Sequence, residues 1–375
     1  MRALVTGSRG FVGSNLVTHL RERQGVEVME WHRDSAPGSL SDLVASADVV
    51  YHLAGINRPK DPAEFASGNG GITEQVVAAA RGAGRRVPIV LSSSTQAALD
   101  NPYGQSKRLA EDAVIDYALA AGAACAVYRL PNVFGKWSRP NYTSAVATFC
   151  HNVSRGLPIT VNDRSAPLRL VYVDDVCRDF LGLLDAPRTP PADRESVRRE
   201  VSPVHTTTVG ELADLIQSFG TSRDRRTVGH VGQGLERALY ATYRSFIPPE
   251  QFAYGLTRHV DPRGEFAEVV RTADSGQFSY FTAHPGVTRG GHYHHTKNEK
   301  FLVLRGHARF RFRDIRTGAE HSLETRGEDA RVVETMPGWA HDITNIGRDE
   351  MVVMLWANEA FDPAHPDTVA ARLAP

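Results

Sequence analysis

The sequence predicts a chain in two parts, an α/β half built on a parallel sheet and then an all-β half. Three observations predict this. Apolar strand-like runs alternate with helix-like segments from residue 1 to about 185. After Ser245, short alternating strands follow one another with no long amphipathic helix between them. The length of 375 residues also exceeds one ordinary domain, at about 100–200 residues each.

In the first half, strands are expected at 2–6, 26–31, 49–53, 88–92 and 126–130, with helical segments at 13–22, 74–85 and 103–121. Such alternation implies a parallel sheet covered on both faces. Residues 186–199, APRTPPADRESVRR, are rich in proline and charge and read as a surface loop. Thr208-Val-Gly-Glu211 is a capping box that opens a helix through about Phe219. Ile247-Pro-Pro-Glu250 reads as a linker, so the domains are expected at 1–246 and 251–375. Beyond it, strands are expected at 277–282, 300–304, 308–313, 330–334 and 351–357, the pattern of a small antiparallel barrel or sandwich.

Composition narrows the function. Hydrophobic residues make up 41% and charged residues 23%, as in soluble globular proteins. Lys+Arg equals Asp+Glu at 43 each, which argues against nucleic acid as a partner, because that affinity rests on excess cations against phosphates. No run of about 18 apolar residues is present, so no membrane span is expected. The start, MRALVTGSRG, leads straight into a strand and lacks the apolar core of a signal peptide. Cys125, Cys150 and Cys177 are odd in number and widely spaced, which suits buried thiols in the cytoplasm.

Gly7-Ser-Arg-Gly10-Phe-Val-Gly13 follows the first strand and opens the first helix. Glycines there let the backbone approach a pyrophosphate at the helix N-terminus. Gly7, Arg9, Gly10, Phe11, Val12 and Gly13 are therefore candidate cofactor-binding residues. Tyr103 and Lys107 lie four apart and share a helix face. A free tyrosine, with a pKa near ~10, is a poor proton shuttle at neutral pH, and a nearby ammonium lowers that pKa.

The GxxGxxG spacing resembles the extended short-chain dehydrogenase/reductase family, a Rossmann-type fold. Further matches follow in the family's order: His52-Leu-Ala-Gly55, Asn69, Leu91-Ser-Ser-Ser94, Tyr103-Gly-Gln-Ser-Lys107, Asn132-Val-Phe-Gly135 and Tyr172-Val-Asp-Asp175. Together they span about residues 1–245. The resemblance implies Ser94, Tyr103 and Lys107 as catalytic residues, with Lys107 also holding the nicotinamide ribose. It implies Leu53, Ala54 and Gly55 on the adenine side. His32-Arg33 stand where NAD enzymes of the family usually carry an aspartate. An arginine suits a 2′-phosphate, so NADPH is favoured, unless the register slips by two and presents Glu30. Extended members mostly act on nucleotide-linked sugars. Sugar dehydratases of the family carry Asp-Glu after the catalytic serine, where Thr95-Gln96 stand here, so net reduction or epimerisation remains. Asn132 is a substrate-binding candidate. Leu168 occupies the place of a diphosphate-binding arginine, and Arg164 or Arg169 is expected to substitute.

In the second half, His292 and His294 alternate along an expected strand, Glu299 follows a turn, and Pro337-Gly338 precedes His341 on another strand. Three imidazoles and a carboxylate suit Zn²⁺, Fe²⁺, Mn²⁺ or Ni²⁺. His295 faces the opposite side in a regular strand and is excluded. The spacing G-x5-H-x-H-x4-E-x6-G from Gly286 to Gly306 resembles the cupin family, an all-β double-stranded β-helix or jelly roll. The family's second motif is met at His341 and Asn345, but its Pro-x-Gly is Pro337-Gly338 without the spacer. Asp261-Pro-Arg263-Gly264-Glu265-Phe266 resembles a stretch in cupin-type sugar epimerases.

The whole chain resembles the bifunctional capsular-polysaccharide enzymes of the UDP-N-acetyl-L-fucosamine pathway. The closer match is carried by His292–Phe301, Asn101-Pro-Tyr-Gly and Phe134-Gly-Lys-Trp137. It implies a UDP-linked 4-keto amino sugar as substrate, C3 epimerisation in the cupin with a divalent metal (Zn²⁺ first), NADPH-dependent C4 reduction in the reductase, and UDP-2-acetamido-2,6-dideoxy-L-talose as product. A homodimer or larger homo-oligomer is expected by analogy. Two alternatives stay open: a reductase with a structural or dimerising cupin, and an iron cupin oxygenase fused to a reductase.

Overall fold

The structure is a computed structural model that describes residues 1–373 apart from 33, 37, 60, 62, 257–258, 262–263, 267–268, 273–275 and 360–363. Arg33, and part of the Asp261–Phe266 stretch, therefore lie outside the described residues. The chain forms two compact units, 1–133 with 168–206, and 134–167 with 207–375.

The first unit carries β1 (Arg2–Thr6), α1 (Phe11–Arg21), β2 (Glu27–Trp31), α2 (Ser39–Ser46), β3 (Val49–His52), α3 (Ile72–Gly82), β4 (Ile89–Ser94), α4 (Pro102–Ala121) and β5 (Ala126–Leu130). The chain continues through β6 (Asn132–Phe134), α5 (Ala145–Val153), β7 (Pro167–Tyr172), α6 (Val173–Asp185), β8 (Arg198–Arg199) and β9 (His205–Thr208). Six strands run parallel in the order β2-β1-β3-β4-β5-β8. Leu4, Val5, Val50, Tyr51, Ile89 and Leu91 are buried in it. Strands covered on both faces must be apolar throughout rather than alternating, which is why their positions were legible. The order reverses between β1 and β3, and ligands of open α/β sheets bind at such a switch point, beyond the strands' carboxyl ends. The expected loop at 186–199 ends in β8, which adds to the sheet beside β5.

Helix α4 has definite ends. The Asn101 side chain accepts from the Gly104 N–H at 2.8 Å, Pro102 occupies the first turn, and Gly122 closes the helix at φ 62°.

The second unit contains α7 (Val209–Gly220), opened by the expected capping box with both of its hydrogen bonds formed. Then come α8 (Ser222–Arg225), β10 (Thr227–Val228) and α9 (Gly234–Ser245). The β region follows with β11 (Ala253–Gly255), β12 (His259–Asp261), β13 (Gly264–Phe266), β14 (Arg271–Thr272), β15 (Gln277–Ala283), β16 (Thr288–Tyr293) and β17 (Glu299–Arg305). It ends with β18 (His307–Asp314), β19 (Glu320–Arg326), β20 (Arg331–Glu334), β21 (Trp339–Asn345), β22 (Met351–Ala357) and β23 (Val369–Ala370). Two five-stranded antiparallel sheets result, β11-β20-β17-β22-β15 and β19-β18-β21-β16-β23. Side chains from both meet in a shared core, as where Phe301 packs against Phe310 with ring centroids 5.7 Å apart.

These units are cut differently from the boundary expected near 247. Residues 134–167 and 207–246 belong with the β sheets. One physical reason is a buried ionic knot. Glu334 of β20 takes Lys300 of β17, Arg223 of α8 and, at 2.5 Å, Arg244 of α9. Phe219 of α7 packs edge-on against Tyr240 of α9 at 5.1 Å. Composition does not reveal such a knot, because the Ile247-Pro-Pro-Glu250 stretch marks a turn in the chain and not the edge of its packing.

Candidate functional site

In the first unit the glycine loop is built by close approach. Gly7 sits at φ +69°, and a Cβ there would come within 2.7 Å of the Ala54 nitrogen. A Cβ on Gly13 would lie 2.2 Å from the Gly7 carbonyl. The loop thus packs on the Leu53-Ala54 backbone beyond β3, where the Ala54 N–H donates to Thr6 Oγ1 at 3.3 Å. Helix α1 starts after Gly10 with no side-chain cap and no acid in its first turn. Its end, around Phe11 and Val12, carries the positive pole of the helix dipole.

The register of β2 settles which residues stand at its end. Thr6 pairs with Trp31, so His32 follows directly. Glu30 is held by Arg21 of α1 at 2.6 Å. Arg9 pairs with Asp34 at 3.0 Å, both exposed, and His32 Nδ1 lies 3.9 Å from the same carboxylate. Asp34 was not among the expected residues.

Tyr103 and Lys107 share the inner face of α4 as expected. Lys107 Nζ lies 5.7 Å from the Tyr103 ring centroid and donates to the Ser92 carbonyl at 3.4 Å. The Tyr103 hydroxyl donates to Asn57 Oδ1 at 3.2 Å. The expected lowering of the Tyr103 pKa is not what the structure shows. Burial raises it, against a hydrogen bond with Ser94 that pulls it down. Lys107 is itself buried and is pushed down to about 8, with Glu111 opposing that fall. The carboxylate of Glu111 is clamped by Arg129 (Nε–Oε1 2.9 Å, Nη2–Oε2 2.7 Å) and by Ser93 Oγ at 2.5 Å. Gly55 leaves room for this machinery, since a Cβ there would meet Asn69 Oδ1 at 2.6 Å and Lys107 Nζ at 3.4 Å. Asn69 holds the Ile56 backbone at both N–H and C=O, and donates to Ser106 at 3.0 Å. His52 is fully buried between Thr6 and Thr73, and burial lowers it to about 3, so it is a neutral structural group.

Of the substrate candidates, Asn132 begins β6 and Arg169 lies in β7, the neighbouring strand, both exposed. Arg164 is engaged with Asp214 of α7 at 2.6 Å.

In the second unit His292, His294, Glu299 and His341 converge, with donor atoms all within 4.8 Å of one another. Glu299 Oε2 lies 3.3 Å from Nε2 of both His294 and His341. The ring centroids of His292 are 5.0 Å from His294 and 4.8 Å from His341. The route to this convergence differs from the expected strand alternation. β16 ends at Tyr293, with an irregular register between Gly290 and His292, and His294 lies just past it. His295 turns its ring toward Tyr293 and is not part of the quartet. Burial and the two neighbouring imidazoles lower His292 to about 3, so it is neutral. Glu299 is held well below the carboxylate range by His294 and His341, despite burial. Three imidazoles and an ionised carboxylate make a donor set of the kind that suits a divalent cation.

The sequence reading missed the supports of this quartet. Asp367 accepts from His294 Nδ1 through its backbone carbonyl, which turns Nε2 toward the cluster. Its carboxylate accepts from the backbone N–H of His295, Thr296 and Lys297 at 2.7–2.8 Å. The Glu299 N–H donates to Thr335 Oγ1 at 2.9 Å. Backbone acceptors carry no sequence signal. Glu111, four residues after Lys107, could have been found from helical spacing.

Known proteins resolve the first unit's class. Residues 3–196 match the NAD dependent epimerase/dehydratase family. The chain belongs to that family. Beyond that match, residues 259–369 match a second family, the polysaccharide biosynthesis C-terminal domain. A Pseudomonas aeruginosa UDP-2-acetamido-2,6-beta-L-arabino-hexul-4-ose reductase is 54% identical over 100% of this chain and 99% of its own. The crystal structure of the capsular polysaccharide assembling protein CapF from Staphylococcus aureus is 39% identical, covers 100% of both chains and has a TM-score of 0.67. The Bacillus subtilis spore coat polysaccharide biosynthesis protein SpsL is 30% identical over 30% of this chain and 81% of its own. Among the described residues no helix is long and apolar enough to cross a membrane.

Proposed function

We propose that this chain is a two-centre enzyme of nucleotide-sugar metabolism. It epimerises C3 of a UDP-2-acetamido-2,6-dideoxy-hexos-4-ulose at a metal-bearing cupin and reduces C4 with NADPH at Ser94, Tyr103 and Lys107, yielding a UDP-2-acetamido-2,6-dideoxy-L-talose. What supports the reading is the coexistence, in one chain, of adjoining Ser94, Tyr103 and Lys107 with a largely buried three-histidine, one-glutamate cluster. The full-length likeness to a hexul-4-ose reductase supports the C4 half.

Both absent groups fit the residues present. The glycine cradle would be filled by any Cβ, and the α1 terminus lacks a cap. Gly7, Gly10, Phe11, Val12 and Gly13 would hold the pyrophosphate, Leu53, Ala54 and Gly55 the adenine side, and Arg9, His32 and Arg33 the 2′-phosphate. Bound there, NADPH supplies the hydride for C4. In the second unit, the buried His341 Nε2 has no well-formed hydrogen bond, and its nearest acid is a co-ligand. His292, His294, Glu299 and His341 would hold a divalent ion, Zn²⁺ first, which supplies Lewis-acid polarisation of the C4 ketone and so eases loss of the C3 proton.

The protein's own groups then divide the work. Ser94 hydrogen-bonds the C4 oxygen. Tyr103, kept protonated by its raised pKa, gives that oxygen a proton as C4 is reduced. Lys107 orients the ribose and neutralises the phenolate left behind. Asn132 with Arg169 or Arg164 would bind the nucleotide sugar. Once C4 is an alcohol, the C3 proton is no longer acidic, so reduction locks the C3 configuration.

The deciding experiment incubates the 4-keto sugar nucleotide in D₂O with and without NADPH. Deuterium should enter C3 without NADPH, survive Tyr103→Phe and vanish in His292→Ala. Tyr103→Phe should slow NADPH oxidation by about 10²–10⁴-fold. Label entry unaffected by His292→Ala would sink the assignment and favour a structural β domain. Fe²⁺-dependent oxygen uptake would favour an oxygenase.

A further inference from the structure

We propose that Trp137 is a positioning residue for the metal cluster, a role that rests on the metal reading above. The motif Phe134-Gly-Lys-Trp137 falls among the reductase signatures in sequence, yet it belongs to the same compact unit as the histidines. Trp137 sits at φ +67°. A bulky L-residue is strained there, and such strain persists only where the surroundings over-determine it.

What holds it is a turn of the metal motif. The Trp137 indole lies against Gly338, where a Cβ would come within 3.0 Å of Cζ2 and 3.3 Å of Cε2 and Nε1. Gly338 has φ +79°, Pro337 precedes it, and the Trp339 N–H donates to the Met336 carbonyl at 3.0 Å. This is a type II turn, with proline and glycine in their preferred places. It accounts for the missing spacer between Pro337 and Gly338: the tight turn and the indole both demand glycine at that position.

The turn reaches the ligands along two routes. Its exit is β21, which carries His341 two residues beyond Trp339. Its Gly338 N–H donates to the His294 carbonyl at 2.9 Å. The block is closed by the turn after β18. The Ile315 N–H donates to the Gly338 carbonyl at 3.1 Å, and Arg316 donates to the Trp137 carbonyl at 3.3 Å with its guanidinium 6.0 Å from the indole centroid. Trp137 thus braces the placement of two of the three imidazoles without ligating anything.

The test uses the full chain and zinc alone as probe, with affinity read by competition against a chromophoric chelator. Trp137→Ala should weaken zinc binding by about tenfold or more, as loss of a ligand's support does. It should slow C3 deuterium exchange while leaving NADPH affinity unchanged. Trp137→Phe, which keeps a flat ring on Gly338, should restore most of the zinc affinity. Wild-type zinc affinity in a folded Trp137→Ala protein overturns the proposal. Absence of zinc binding in the wild type overturns the metal reading instead. If Trp137→Ala does not fold, Gly338→Ala replaces it, since its methyl enters the same indole contact, and unchanged zinc affinity there likewise overturns the proposal.

Discussion

Glu111 lies one helical turn beyond Lys107, and its charge opposes the loss of the buried ammonium's proton. A lysine serves Tyr103 and the ribose only while charged, and that charge is lost as pH rises through its pKa. Removing Glu111's charge lowers the pKa further, so the alkaline limb of the C4-reduction profile in Glu111→Gln should move to lower pH. A pH–rate series checks this, and an unmoved limb contradicts it. The same substitution takes a charged partner from Arg129 and should cost about 1–3 kcal/mol in urea unfolding. At this scale the nearness of Tyr103 to Lys107 was legible, because residues four apart on a helix share a face. The direction of the Tyr103 shift was not, because burial belongs to the folded molecule. For a ketone reduction the raised value suits the task, since the phenol must keep its proton until hydride arrives.

The glycine loop and α1 act as one element. Arg9 apart, the loop would hold the cofactor through its backbone, and Gly13 sets the close approach to the Gly7 carbonyl. Gly13→Ala forces the two apart, so NADPH affinity should fall by at least about tenfold, the factor that 1.4 kcal/mol sets. Cofactor fluorescence titration measures this, and bound zinc should be unchanged in the same sample. Elements with strong local signals were readable: β1, β5 and β22 fall where expected, and α7 opens on its capping box. Helices α2, α5, α6 and α9 were not expected. Helix α6 carries Asp174 and Asp175 buried in its first turn, and α9 buries Arg244, so polar residues interrupt the apolar face by which a helix is read.

Across the second unit, Glu334 is one carboxylate shared by three cations. Burial would raise its pKa, but Arg244, Lys300 and Arg223 hold it well below the usual range. Its stabilisation is therefore present above the ordinary glutamate pKa near ~4.3 and is lost as pH falls below it. Glu334→Gln leaves buried cations without a counter-charge and should cost about 3–5 kcal/mol at neutral pH. Urea unfolding across pH should show wild type and variant converging in acid. A constant gap would mean the carboxylate's charge is not what stabilises the unit.

Residue types and spacing by themselves determined the parallel sheet, the close-packed glycine loop, the shared helix face of Tyr103 and Lys107 and the grouping of His292, His294, Glu299 and His341. Each depends on a local property, whether apolar runs, glycine's freedom or a ligand's chemistry. Only the tertiary structure decided that residues 134–167 pack with the β sheets, that His294 reaches its partners from beyond a strand, and that Asp367 and Trp137 support them. Those outcomes depend on backbone carbonyls, bare Cα positions and buried charge pairs, which acquire meaning only when distant segments meet.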